Sequence, residues 1–488
     1  MKTFKKILCA AAACAILINS YMPARKQVAA DSFRTAGDAV SQITVGWNLG
    51  NTFDANGTWI TGDDPTSYET AWGNPVTTKA MIDSVREQGF NALRLPVTWS
   101  QHIDEHGNVD EKWMARIKEV VDYAYDDGMF VILNVHHDTG EGGDDKVSWI
   151  FADTGVYENV KDKYKNLWTD IANEFKDYGD RLMFEGYNEM LDTNNTWNAS
   201  SNSTAYEAVN NFAQDFVDAV RATGGNNAER NLIVNTYVSS YDQAVLDNFK
   251  LPTDSAKDHL IVEVHSYAPW GFTGTTQSVT WTTVHNDFND SDKSEIDAAA
   301  QTLANFSNKL GVPVIVGEFG AECKNNDAEI AKYAEYMVQT MDSHGIKCFY
   351  WDNGDFNSGE DADGGYAIFN RNSMTWKTEI VSAMIGAAGT TQTGESEATE
   401  ATTETTVEET TAETTTAVET TASSEEEQAE ETSVFDESQA TAVIADAEDD
   451  GPAKDYGLVP FVVVDCVLVA AAVALVIVYN VKKNKKHG

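Results

Sequence analysis

Eight short apolar runs, most of them separated by a longer amphipathic stretch, constrain the fold of this chain more than any other feature. The stretches at 78–89, 111–128 and 327–345 have helical periodicity, and the last two end near a glycine. The apolar runs are nearly continuous, as strands of a parallel sheet with both faces covered tend to be. They occupy residues 43–50, 92–99, 130–137, 182–189, 231–237, 260–267, 312–320 and 346–354.

Eight strand–helix units within residues 31–388 predict an α/β fold, the (β/α)8 TIM barrel. A doubly wound open sheet is the alternative. Its dinucleotide-binding form has little support, because no GxGxxG motif follows the first strand.

The N-terminus predicts export. Lys2, Lys5 and Lys6 precede an apolar run at 7–18 that is too short to span a bilayer. We therefore expect a signal peptide at 1–30, with cleavage after Ala30 or after Ala24.

The C-terminal part predicts a membrane tether. Residues 389–456 are rich in Thr and Glu and cannot bury enough apolar surface to fold, so we expect a disordered stalk. An apolar segment at 457–481 is long enough for a transmembrane helix, and 482–488 form a basic tail expected to stay in the cytoplasm. The predicted localisation is extracellular, tethered to the cell membrane.

Charge argues against one class of partner, and cysteine content limits the possible disulfides. A formal net charge of -43 argues against nucleic acid, because phosphates would be repelled. Cys323 and Cys348 are the cysteines of the predicted barrel. We expect them at opposite ends of neighbouring strands, too far apart for a disulfide.

Polar residues cluster toward the C-terminal ends of the predicted strands. These ends meet on one face of a (β/α)8 barrel, where active sites are built. We therefore expect a single site. The residues are Arg94, His136, His137, Asn188, Glu189, His265, Tyr267, Glu318 and Trp351.

Two of these residues, Glu189 and Glu318, predict glycoside hydrolysis. They end the fourth and seventh strands, so they can approach one bond from two sides of the barrel mouth. One carboxyl would protonate the leaving oxygen, while the other attacks the sugar carbon or activates water. Arg94 and Tyr267 would keep Glu318 ionised.

Eight motifs, spread in order over the predicted barrel, resemble glycoside hydrolase family 5, the retaining cellulase family, and its bacterial endoglucanases. They are GWNLGNTFDA (46–55), ETAWGNP (69–75), GFNALRLPVTW (89–99), NVHHD (134–138), FEGYNE (184–189), VHSYAPW (264–270), VIVGEFGA (314–321) and YWDNG (350–354). The chain departs from the family at Met190, where proline is usual, and at Tyr350, where a tryptophan is frequent.

The resemblance implies an endo-β-1,4-glucanase (cellulase) that acts by double displacement. Glu189 would be the acid/base and Glu318 the nucleophile. Asn188 would hold the sugar 2-hydroxyl, and Trp351 would stack on the ring beside the scissile bond. Further supporting or substrate-binding positions would be Arg94, His136, His137, His265, Tyr267, Asn51 and Trp72. No cofactor is implied, and we expect a monomer that binds β-glucan.

Several alternatives remain at this point. Xyloglucan, mixed-linkage glucan, xylan or mannan could replace cellulose, and a non-catalytic polysaccharide-binding surface protein is a rival of another class. His136 and His137 could suggest a metal, but no third ligand has diagnostic spacing, so we predict none. Trp72, Trp197, Trp270 and Trp281 are candidate sugar platforms or core residues. The acidic stretch 352–365 is more typical of a solvated loop than of a calcium site.

Overall fold

The structure, a computed structural model, describes residues 33–143, 146–274, 283–354, 356 and 365–388. The predicted signal peptide, stalk, apolar C-terminal segment and basic tail lie outside these ranges. So do Trp281 and most of the acidic stretch 352–365. Within the described ranges, no helix has both the length and the apolar character needed to cross a membrane.

Eight parallel strands close into a barrel in chain order, which confirms the predicted fold. Several predicted strands ran too far at their C-terminal ends. The third, for example, ends at Asn134 rather than at residue 137, because the chain turns away where the polar residues begin. The strands are β1 (Gly46–Leu49), β2 (Ala92–Leu95), β3 (Phe130–Asn134), β4 (Leu182–Glu185), β5 (Leu232–Asn235), β6 (Leu260–His265), β7 (Val314–Phe319) and β8 (Lys347–Asp352).

Helices surround the barrel, and side-chain caps fix the start of most of the longer ones. Asp110 and Asp153, for example, accept the first free backbone N–H groups of α4 and α5. The helices are α1 (Ala36–Gln42), α2 (Pro65–Glu69), α3 (Lys79–Glu87), α4 (Glu111–Asp126), α5 (Thr154–Glu174), α6 (Ser203–Ala222), α7 (Gln243–Asn248), α8 (Trp270–Thr273), α9 (Asp290–Leu310), α10 (Asp327–Ser343) and α11 (Thr378–Ala387). A short hairpin, β9 (Phe369–Asn370) and β10 (Thr375–Trp376), precedes α11.

The barrel interior is apolar at one end and polar at the other. Helix α1 packs Ala39 and Val40 against Phe130, Ile132 and other inward residues near the strand starts, which closes the N-terminal end. Because side chains alternate along a strand, the next inward positions form a second layer. That layer is polar and fully buried: Asn48, Arg94, Asn134, Glu185, Asn235 and Glu263.

A β-bulge in β7 turns Glu318 toward the interior. The register pairs Val316 with Val264 but Glu318 with His265, so two residues of β7 stand opposite one residue of β6. Without the bulge, strict alternation from the inward Ile315 would point Glu318 away from the barrel axis. The extra residue, Gly317, therefore decides which way Glu318 faces.

The two cysteines of the barrel are free, as predicted. Cys323 follows β7, whereas Cys348 is the second residue of β8, and both are buried. Burial raises the pKa of both thiols. The neutral thiols therefore act as packing groups rather than nucleophiles.

Arg371 closes the seam between β8 and β1. Its Nη1 donates to the Gly50 carbonyl (2.9 Å) and Thr52 Oγ1 (2.7 Å), and its Nη2 donates to the Asp352 carbonyl (2.6 Å) and Oδ1 (3.1 Å). Asp352 Oδ2 accepts the Trp47 indole N–H and the backbone N–H groups of Ile368 and Phe369. One buried ion pair thus joins the first strand, the last strand and the hairpin behind them.

Replacing Arg371 with alanine leaves the Asp352 carboxylate buried without its cation. We expect the free energy of unfolding to fall by about 3–5 kcal/mol, as is usual when one partner of a buried ion pair is removed. Urea unfolding of the purified barrel measures this change. Lys293→Ala is the matched control, because its partner Asp290 is almost fully exposed, and it should unfold at the wild-type midpoint. Equal midpoints for Arg371→Ala and wild type would contradict the assignment.

Candidate active site

The predicted site residues gather at the C-terminal mouth of the barrel. Arg94 lies on β2, Glu318 on β7 and Trp351 on β8, whereas His265 is the last residue of β6. The others follow the ends of their strands within a few residues: His136 and His137 after β3, Asn188 and Glu189 after β4, and Tyr267 after β6. Strand ends, rather than loop tips, therefore set the positions of these groups.

Glu318 is held by two donors. Its Oε1 accepts a hydrogen bond from Arg94 Nη1 at 2.7 Å, and its Oε2 accepts one from the Tyr267 hydroxyl at 3.0 Å. Burial, together with the nearby Glu318 carboxylate, holds the pKa of Tyr267 well above its usual value, so the phenol keeps its proton. Both oxygens of the Glu318 carboxylate are therefore held in place by hydrogen-bond donors.

Glu189 stands opposite Glu318 and is more exposed. Its Oε1 lies 2.7 Å from His265 Nδ1, and 23% of its side chain is accessible against 7% for Glu318. One carboxylate oxygen of Glu189, one of Glu318 and a ring nitrogen of His265 all lie within 4.8 Å of one another. The two carboxyls can therefore act on the same bond.

His265 connects the mouth to the buried polar layer. Nδ1 faces Glu189 and lies 3.6 Å from Glu318 Oε2, whereas Nε2 lies 3.3 Å from Glu263 Oε1. Burial of the ring opposes its charged form, but the carboxylates of Glu318 and Glu189, together with hydrogen bonds to Glu189 and Glu263, outweigh it and raise the pKa of His265 to about 10. These contacts favour the charged form of the ring.

Arg94 is the common partner of the buried acids. Burial opposes its charge, but Glu185, Glu263 and Glu318 hold the pKa of its guanidinium well above the ordinary value. Glu185 binds it bidentately, at 2.7 Å from Nε and 2.8 Å from Nη2. Arg94 also donates to Asn48 Oδ1 at 3.0 Å and to Asn188 Oδ1 at 2.8 Å. The amide of Asn188 thus keeps its NH₂ group for a further acceptor.

His136 and Trp351 form a stacked pair, with ring centroids 5.8 Å apart and planes 4° from parallel. Burial holds the pKa of His136 well below its usual value, so the ring is neutral. The amide of Asn134 donates to its Nδ1 at 3.0 Å, which leaves the ring proton on Nε2. His136 is therefore a fixed hydrogen-bond donor.

His137 lies beside Trp72, and Asn51 follows β1. Burial lowers the pKa of His137 to about 4, and its ring centroid lies 5.6 Å from that of Trp72. Trp72 is exposed, and its indole N–H donates to the carbonyl of Asn56. Asn51 occupies the turn after β1 at φ +53°, with its N–H bonded to Asp54. Among the residues that the structure describes, no hydrogen bond joins the Asn51 side chain to the carboxyl pair.

Ligand atoms of Asp54, His136 and His137 also lie within 4.8 Å of one another, which is metal-like spacing. However, the Asp54 carboxylate accepts the backbone N–H groups of Asn51 and Thr52, and Asn134 occupies His136 Nδ1. These hydrogen bonds already occupy atoms of Asp54 and His136 that would otherwise bind a metal. The arrangement fits a structural turn beside the site better than a metal centre.

Several residues of the site were missed in the sequence. Glu185, Glu263 and Asn48 stand within predicted apolar strands, although a charged or amide residue inside such a run is a signal in itself. Exposed aromatic rings also flank the mouth or its loops: Trp59, Trp72, Trp197 and Trp270. Of these, Trp59 is the most exposed, at 64%, and is not among the predicted site residues.

Known proteins resemble this chain over the whole barrel. The family described as cellulase (glycosyl hydrolase family 5) matches residues 53–357. Endoglucanase A of Clostridium longisporum is 38% identical over 365 residues, which are 74% of this chain and 67% of that protein.

Two solved structures are similar in the same way. A broad specificity endoglucanase from Ruminococcus champanellensis, solved with bound cellotriose, is 39% identical with a TM-score of 0.66 and covers 72% of this chain and 99% of its own. A mutant of a Prevotella bryantii B14 enzyme, in complex with a xyloglucan tetradecasaccharide, is 43% identical with a TM-score of 0.64 and covers 73% and 99%. The chain belongs to glycoside hydrolase family 5, the cellulase family.

Proposed function

We propose that this protein is an endo-β-1,4-glucanase that hydrolyses internal bonds of β-glucan chains by a retaining double displacement. One observation carries the proposal: carboxylate oxygens of Glu189 and Glu318 lie within 4.8 Å of each other at the barrel mouth. Retaining glycosidases hold their two carboxyl groups about 5–5.5 Å apart, whereas inverting enzymes need about 6.5–9.5 Å to admit a water molecule.

Glu318 is the nucleophile in this proposal. It is the more buried carboxylate, and Arg94 and Tyr267 hold both of its oxygens, so its orientation toward the sugar carbon is fixed. It attacks the anomeric carbon and forms a glycosyl–enzyme ester, while the bond to the leaving oxygen breaks.

Glu189 is the acid/base. It gives its proton to the leaving oxygen in the first step. In the second step it takes a proton from the water that cleaves the ester, which restores the starting state. Its greater exposure suits this exchange with leaving group and water.

The remaining residues bind and orient the sugar. Arg94 occupies Asn188 Oδ1, so the amide NH₂ is the donor available to the sugar 2-hydroxyl. His136 donates from Nε2, and Trp351, which stacks with His136, offers an aromatic face to the sugar. Trp72 and His137 extend the binding surface away from the centre.

Glu318→Gln and Glu189→Gln test the two roles separately. Each substitution keeps the side-chain shape and should lower kcat on cellulose derivatives, by on the order of 10²–10⁴ for the acid/base and by at least as much for the nucleophile. On a dinitrophenyl cellobioside, whose leaving group needs no proton, bond cleavage should survive in Glu189→Gln and fail in Glu318→Gln. Glu335→Gln, on the exposed side of α10, is the control. If both variants lost their activity on both substrates, the separate roles assigned to Glu189 and Glu318 would be wrong.

The substrate is proposed to be a β-1,4-glucan, including chains that carry side branches. The support is that similar enzymes were solved with cellotriose and with a xyloglucan oligosaccharide. Purified barrel should cleave carboxymethylcellulose, mixed-linkage glucan and xyloglucan at internal bonds, giving a rapid fall in viscosity before short sugars accumulate. Faster cleavage of xylan or mannan than of any glucan would move the enzyme to another substrate class.

We also propose that the enzyme is exported and held at the outer face of the membrane. The support is the basic, apolar N-terminal segment at 1–30 and the apolar segment at 457–481 with its basic tail. After cell fractionation, the full-length protein should be found in the membrane fraction, with the barrel open to added protease in intact cells. A version ending before residue 457 should be released into the medium. Full-length protein free in the culture fluid would contradict the tether.

A further inference from the structure

Glu263 is a buried carboxylate to which the proposed reaction gives no role. It lies on β6 two residues before His265, so both side chains face the interior. Its Oε1 lies 3.3 Å from His265 Nε2 and 3.2 Å from Arg94 Nε. Within the part of the chain that the structure describes, its Oε2 has no hydrogen-bond partner. A buried carboxylate with one unsatisfied oxygen is costly, so its charge calls for a physical reason.

The neighbours of His265 supply that reason. Carboxylate oxygens are acceptors, and one faces each ring nitrogen: Glu263 at Nε2 and Glu189 at Nδ1. A ring between two acceptors satisfies both only if both nitrogens carry protons. The geometry therefore favours a doubly protonated His265, with one end fixed in the buried layer and the other directed at the acid/base.

The absence of a side chain at Gly317 leaves room for the Glu263 carboxylate. A Cβ added to Gly317 would lie only 1.8 Å from Glu263 Oε1. Any side chain there would push Glu263 away from His265. Gly317 is also the extra residue of the β7 bulge that turns Glu318 inward, so one glycine sets both the nucleophile and the contact between Glu263 and His265.

We propose that Glu263 is a positioning residue that keeps His265 doubly protonated, so that Nδ1–H donates to Glu189 Oε1 throughout the reaction. Glu189 Oε2 is then the atom that carries the transferred proton. The imidazolium also stabilises the Glu189 carboxylate that forms when this proton leaves for the glycosidic oxygen. The inference rests on the proposed function for the role of Glu189.

Other charges also act on His265, so the test must separate them from Glu263. Arg94 opposes the imidazolium, Glu185 supports it without hydrogen-bonding to it, and Glu318 supports it from 3.6 Å. The titratable and charged groups around His265 are Glu263, Glu189, Glu185, Glu318, Arg94, Tyr267 and His136.

The direct experiment is ¹⁵N NMR of the ring-labelled, purified protein at pH 7, with His265 assigned from a His265→Asn variant. Wild type should show both ring nitrogens protonated, and Glu263→Gln should show only one. Glu185→Gln is the matched control: it removes an equal buried charge from Arg94 but no hydrogen bond from His265, so both protons should remain. A single ring proton in wild type would overturn the proposal, even if no variant folds.

Kinetics give the second readout. Glu263→Gln should lower kcat roughly 10- to 100-fold, the effect of losing one charge-assisted hydrogen bond. The alkaline limb of the kcat/KM profile should move to higher pH, because a carboxyl beside a neutral imidazole keeps its proton longer. Glu185→Gln should leave that limb in place, or move it much less. Equal displacement in both variants would show a purely structural role. The NMR result does not depend on hydrolysis, so it stands or falls separately from the proposed function.

Discussion

The positive charge of Arg94 in the barrel interior is the interaction on which the site depends. Its guanidinium has no access to water, so it must be neutralised by the protein. Glu185 does so bidentately, Glu263 and Glu318 add single contacts, and Asn48 and Asn188 take remaining N–H groups. Without this cation, several carboxylates would repel one another in a low-dielectric space.

This arrangement connects the fold to the chemistry. The apolar layer and α1 close one end of the barrel, so the polar layer can open only toward the strand C-termini. Arg94 reaches upward from that layer to Glu318, and His265 reaches from Glu263 to Glu189. Each of the two proposed catalytic carboxyls is thus linked through one cation to the rigid interior. Such linkage limits the movement of both groups, as electrostatic catalysis requires.

The sequence alone was sufficient for the barrel and for the outline of the site. Eight apolar runs gave the strands, and the rule that strand C-termini meet placed Glu189, Glu318, Arg94, His265 and Tyr267 together, as the structure has them. The ends of the strands were less predictable: the predicted third strand ran to His137, whereas β3 stops at Asn134. Strands that are apolar on both faces do not reveal which positions point inward.

The same ambiguity concealed the polar layer. Glu263 and Glu185 stand within apolar runs, and only the alternation fixed by the closed barrel shows that they share the interior with Arg94. The bulge at Gly317 was also unpredictable, because it depends on the register between β6 and β7 and not on either strand alone. The motif VGEFG marks this glycine in the sequence. Its physical roles, which are to leave room for Glu263 and to turn Glu318 inward, become visible only in the three-dimensional structure.

In the proposed reaction, the closeness of Glu189 and Glu318 favours a covalent intermediate, and the stereochemistry of the first product tests this claim most directly. Proton NMR during hydrolysis of a cello-oligosaccharide should show the β-anomer appearing first, followed by slow mutarotation to the equilibrium mixture. Initial appearance of the α-anomer would mean single displacement by water, and the roles assigned to Glu189 and Glu318 would be wrong.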